Sequence, residues 1–159
     1  MKDMKKFFFV LLIGSMFFIS CKKDEKSDLT QQCVFYDNFT GVCFNGLAAM
    51  TIKEIIITDN NTYQNFANSI RDYPYNINCD TATLPIIDFT RYTLLGKYTS
   101  GAGCSATYDR QILKDDNRKK LIYRIIVQYE GYCKMNLASF NWVIIPKLEN
   151  GYSVEFDVN

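Results

Sequence analysis

Between Arg91 and Val158 the chain is written almost entirely with a period of two. The clearest stretch is Lys120 to Glu130, where Leu121, Tyr123, Ile125, Val127 and Tyr129 recur at every second position. Side chains two residues apart share one face of a strand, so this spacing commits the segment to a sheet with one face in a core. Ile122 and Ile126 on the other face predict partial cover there, where a helix could sit. Three further strands are expected around it: Arg91 to Tyr98, Cys104 to Lys114, and a set built on Phe140, Trp142 and Ile144 that Pro146 stops. Thr99-Ser100-Gly101-Ala102-Gly103 reads as the turn between the first two, and Asp115-Asp116-Asn117-Arg118 as the next turn. After Leu148-Glu149-Asn150-Gly151, a last strand carries Tyr152, Val154, Phe156 and Val158. Ile52 to Thr58 is β-branched enough to be a strand as well.

One segment has the other period. Tyr63, Phe66, Ala67 and Ile70 fall at i, i+3, i+4 and i+7, with Asn61 or Thr62 as the cap and Asp72-Tyr73-Pro74 as the stop. A helix of about ten residues is too short to stand alone and must dock on the sheet. The expected fold is therefore α+β: an antiparallel sheet of five or six strands with one short amphipathic helix. No repeat or linker divides residues 33–159, and 159 residues leave room for one domain.

The N-terminus carries an address. Lys2, Lys5 and Lys6 precede an apolar run from Phe7 to Ile19 relieved only by Gly14 and Ser15. A helix needs roughly 20 apolar residues to cross a bilayer, so this shorter run reads as the core of a signal peptide over residues 1–20. It ends in Phe18-Ile19-Ser20-Cys21, which resembles a bacterial lipobox, although Phe18 stands where leucine is usual. That resemblance implies acylation of Cys21, with residues 21–32 as the acylated cysteine and a flexible tether. Lys23-Asp24-Glu25 resembles the surface-export signal of Bacteroidota lipoproteins, a lysine and two acidic residues close to the acylated cysteine. The implied location is the outer membrane, lipid-anchored and exposed at the cell surface, with the membrane as a partner through that lipid.

An exported chain permits disulfides. Setting Cys21 aside leaves Cys33, Cys43, Cys79, Cys104 and Cys133, and five cysteines allow two bridges in fifteen ways. Cys104–Cys133 is the preferred pair because it flanks the proposed hairpin. A two-residue turn at Asn117-Arg118 sets Cys104 opposite Gly131, so a bulge or a longer loop must absorb the offset to Cys133. Cys33–Cys43 is the second pair, which leaves Cys79 as a small buried side chain. No Cys-x-x-Cys occurs, and the spacings match no zinc site, so neither a metal nor a cofactor is expected.

The chain contains no histidine, which removes Ser-His-Asp and Cys-His catalysis. Asp115-Asp116 is the obvious carboxylate pair for acid–base chemistry, but it lies in a charged turn where adjacent residues point apart, so no catalytic residues are assigned. Cleavage after Ser20 removes three lysines and Asp3 from 18 basic and 17 acidic side chains, leaving a charge of −1. Nucleic acid is not an expected partner at that balance. Asp80-Thr81-Ala82 resembles the O-glycosylation motif of exported Bacteroidota proteins, which makes Thr81 the acceptor. Tyr73 and Tyr75, in the same Pro- and Asn-rich loop, could stack on a glycan or anchor a protein.

Strand, helix, Pro85-Ile86-Ile87-Asp88-Phe89, a strand with Leu95-Gly96, a Gly-rich turn, and Ile145-Pro146 leading into Tyr152-Ser153-Val154-Glu155-Phe156 follow one another in order. In that order residues 50–159 resemble the PrcB-type domain, an accessory subunit of bacterial surface protease complexes. The family's Gly-Gly-Tyr turn is here Gly101-Ala102-Gly103-Cys104. The resemblance implies a non-catalytic binding or accessory domain. The alternatives are a surface protease inhibitor that presents loop 73–85 and, behind it, a hydrolase that works without histidine.

Overall fold

The computed structural model describes residues 26–36, 53–71 and 84–159. Among these, six strands form one sheet: β1 (Ser27–Asp28), β2 (Val34–Tyr36), β3 (Glu54–Ile57), β4 (Tyr92–Asp115), β5 (Lys120–Pro146) and β6 (Ser153–Val158). Helix α1 (Asn60–Arg71) is the single α-helix among the described residues. The content is mostly sheet, so α+β describes it only loosely. All pairings are antiparallel except one: β6 runs parallel to the first residues of β5, from Lys120↔Ser153 to Ile125↔Val158.

The expected four middle strands are two. β4 runs 24 residues without a break, through the glycines expected to turn it, and β5 runs 27. They pair as one long hairpin around the 116–119 turn, with Asp115 opposite Lys120. A straight 24-residue strand would span about 80 Å. The hairpin is instead folded in two. Leu95 and Ile112, which would lie about 56 Å apart on a straight strand, share one buried cluster with Tyr123, Ile125 and Val143. Pro146 at one end of the hairpin is joined by a short connection to Ser153, which pairs with Lys120 beside the turn. The two ends of the hairpin therefore meet at one pole, and the fold line lies at the other. Folding back also explains the parallel pair, because the end of β5 is brought beside its own beginning.

The glycines mark the fold line. A Cβ at Gly101 would lie 2.3 Å from the ring of Tyr129, which reaches across from the other half of the hairpin. There the register shifts between Gly103 and Ser105, so that Cys104 alone faces residues 131–134. Cys104 and Cys133 are joined by a disulfide across this bulge. Gly131 has φ +81°, and a Cβ there would lie 2.5 Å from the Cys104 sulfur. The bulge absorbs the offset that the turn register imposed. Strand twist and bulging, not a turn, thus reverse the chain at these glycines.

Helix α1 covers the outer face of the first half of the hairpin. Tyr63, Ala67 and Ile70 are its buried residues, and Tyr63 and Ile70 share one cluster with Ile55, Ile57, Leu94 and Trp142. Phe66 sits 5.7 Å from Trp142, ring to ring, and a Cβ at Gly96 would overlap the same indole at 2.5 Å. The helix does not lie over Ile122, which is buried outside this cluster. Its cap is Asp59, whose carboxylate accepts from the Thr62 amide at 2.8 Å and from the Thr62 hydroxyl at 2.7 Å. Those two bonds hold the Asp59 carboxyl below its ordinary range.

The globular part begins before Cys33. β1 pairs with Lys114 and Leu113, the Leu29 amide donates to the Ile112 carbonyl, and β2 pairs with residues 142–144 of β5. Residues 27–36 thus bridge the second half of β4 to the second half of β5, closing one side of the folded hairpin. No described helix is long and apolar enough to cross a membrane.

Candidate functional site

On the opposite side, among the described residues, the folded sheet does not close. A cleft of about 610 Å³ opens between Lys97–Ser100 of β4 and the end of β6, lined also by Lys53, Val127 and Tyr129. This lies within the usual range of small-molecule sites, roughly 300–1,000 Å³. Its walls combine rings and hydrogen-bonding groups. The Lys97 amine stands 5.6 Å above the Phe156 ring and pairs with Glu54 at 2.5 Å. Below it, the buried Asn141 amide donates to the Thr99 hydroxyl at 3.0 Å and to the Lys97 carbonyl at 3.4 Å. Thr99 in turn donates to the Ser139 carbonyl at 3.4 Å. Burial holds the Tyr129 hydroxyl above its ordinary value, with Tyr108 adding to that and the Thr99 hydroxyl opposing it. Tyr129 therefore stays a neutral donor and acceptor in the cleft at physiological pH.

Spacing marks Val127, Tyr129 and Phe156 as one strand face each, but nothing in it brings them to one cleft with Lys97 and Thr99. The one signal was Asn141, an amide in an otherwise apolar stretch from Phe140 to Ile145. An amide buried among such neighbours requires partners, and here they are the atoms that shape the cleft.

The carboxylate pair is built differently. Asp115 is buried and accepts from the Arg118 amide at 3.0 Å and from its guanidinium at 2.6 Å. Asp116 accepts from the Tyr152 hydroxyl and pairs with Lys114 at 3.2 Å. These bonds hold both carboxyls below the usual range, Asp115 chiefly through the Arg118 amide and Asp116 chiefly through the Tyr152 hydroxyl. Both are thereby ionised and committed to local partners. Among the described residues no three His, Cys, Asp or Glu side chains converge as a metal site.

The cysteines divide. Cys104–Cys133 forms as expected. Cys33 does not bridge to Cys43; its thiol is free and donates to the Leu29 carbonyl at 3.2 Å. The short turn at Thr30–Gln32 directs it inward against the central cluster, where burial, aided by Asp28, pushes the thiol up to about 11 from 9.0. Two units mean about 100-fold less thiolate at neutral or mildly alkaline pH. Alkylation of Cys33 at pH 8, followed by peptide mass, should therefore run about 100-fold slower in the native protein than in denaturant. Because the folded state favours the protonated thiol, its contribution to stability is complete below pH 9 and is lost as pH rises toward 11.

Cys21, Lys23, Asp24, Glu25, Cys43, Cys79 and Thr81 lie outside the described residues, as do Tyr73, Tyr75 and most of loop 73–85. No family model, curated protein or solved structure matches the chain.

Proposed function

We propose that this chain is a lipid-anchored protein of the bacterial envelope whose globular part binds a ligand and performs no chemistry on it. The lipobox-like Phe18-Ile19-Ser20-Cys21 and the leader Lys23-Asp24-Glu25 support the anchor. The observation that carries the binding role is the open seam between β4 and β6. Its rings, Phe156 and Tyr129, lie beside the Ser100 hydroxyl and the Lys97 amine. Rings that stack on C–H faces next to groups that bond hydroxyls suit a saccharide. The commitment of Asp115 to Arg118 and of Asp116 to Tyr152 and Lys114 supports a role without catalysis. The order β3, α1, β4 agrees with the first part of the motif order on which the resemblance to the PrcB-type accessory domain rests, although the Gly-rich turn of that order lies inside β4.

The test has two arms. Intact mass of the mature protein from native membranes should equal residues 21–159 plus diacylglycerol and any further acyl chain; a mass without lipid refutes the anchor. Titration with envelope-derived oligosaccharides should give saturable binding that Tyr129→Ala weakens about tenfold. Binding unaffected by that change, or restricted to protein partners, would remove the saccharide reading.

A further inference from the structure

We infer that the pole carrying the 116–119 turn lies against the bilayer, and that the disulfide-bridged fold line of the hairpin is displayed away from it. This rests on acylation of Cys21. β1 is antiparallel to β4, with Ser27 opposite Lys114 and Asp28 opposite Leu113. Followed backward from Ser27, the chain therefore leaves the sheet past Asp115, at the turn end of the hairpin. Lys26 is close enough to lower the Asp115, Glu155 and Asp157 carboxyls, which places it at this pole. From Lys26 to Cys21 is five residue steps. Whatever their conformation, they reach at most about 18 Å. A lipid on Cys21 consequently holds the turn pole within that distance of the headgroups.

The fold line of the hairpin is out of reach of the same tether. Ser105 to Asp115 covers about 33 Å along the strand, and the Cys104–Cys133 bulge lies beyond it. The two poles also differ in chemistry. Lys114 and Lys120 at the turn pair with Asp116, Glu149 and Glu155, a polar surface of balanced charge that a layer of zwitterionic headgroups does not repel. Tyr132, in the bulge, is fully exposed, and Met135 beside it is more than half exposed. The bulge holds that tyrosine outward on a covalently closed support, at the end of the molecule that faces other macromolecules.

The experiment places an alkyne-bearing amino acid at Asn117 or at Tyr132 of the full-length lipidated protein and couples it to a donor fluorophore. Each protein is reconstituted on vesicles of phosphatidylethanolamine and phosphatidylglycerol with an acceptor dye in the outer headgroup layer. Energy transfer from position 117 should exceed that from position 132 several-fold. Equal transfer, or stronger transfer from 132, overturns the orientation. Intact mass on the same samples separates the two levels: protein without lipid overturns the anchor and the orientation together, whereas lipidated protein with equal transfer overturns the orientation alone.

Discussion

Replacing Tyr123 by alanine is expected to destabilise the protein by about 3–5 kcal/mol, the cost of truncating a large ring in a closed core. Tyr123 has no exposed surface, and its ring lies 6.3 Å from Phe35 and 6.1 Å from Phe156. Those neighbours come from opposite ends of the sequence. β2, which carries Phe35, is paired to the second half of β5, whereas Tyr123 is in the first half. The ring therefore reports on the folding of the hairpin upon itself. Denaturant unfolding of Tyr123→Ala, Phe35→Ala and the double variant should give a coupling of at least about 0.5 kcal/mol. Additive effects would mean that the two halves do not pack on each other.

The second large effect belongs to the disulfide. Breaking Cys104–Cys133 by paired alanine substitution should lower stability by roughly 2–4 kcal/mol, since closing a loop of this length contributes about 3.5 kcal/mol in the chain-entropy model. The residues are 29 apart in sequence, and the loop contains the whole turn half of the hairpin. Thermal unfolding of the native protein with and without reductant gives the same comparison without mutation. Protection of amides 128–138 from hydrogen exchange should fall further than that of 121–125, because the latter are covered by β6. An unchanged midpoint after complete reduction would show that the bulge is held by the ladder alone.

The parts of this fold that were legible in the sequence are those set by local periodicity. The face of Leu121, Tyr123 and Ile125 is buried as its alternation required, and the helical spacing of Tyr63, Ala67 and Ile70 marks the docked face of α1. The register of the turn was also readable, because Asp115 faces Lys120 and Ser105 faces Glu130, as the Asn117-Arg118 turn demands. The segments that misled were those whose residues serve a distant neighbour. Gly101 and Gly103 look like a turn, yet Gly101 gives way to the Tyr129 ring and Gly103 sits tightly against the Glu130 backbone. Cys33 looked like half of a short bridge, but the turn before it aims it into the core. The parallel pairing of β6 has no local signature at all, since it follows from the doubling back of β5. The cleft was equally illegible: Lys97, Thr99, Tyr129 and Phe156 belong to three strands, and only the fold brings them to one seam.

The last residue has a practical consequence for anyone handling this protein. The Asn159 amide donates to the Ile125 carbonyl at 3.0 Å, and the Asn159 carbonyl accepts from the Val127 amide at 2.8 Å. Asn159 thus continues the β6 ladder and lines the open seam. Any peptide appended after it starts inside the cleft, so an affinity tag placed there competes with whatever the cleft holds. An insertion at the 116–119 turn would crowd the pole assigned to the membrane. For binding work the tag belongs ahead of Lys26, in a soluble version that begins after Cys21, because the chain enters the sheet there opposite Asp115 and Lys26 is not among the residues that line the seam.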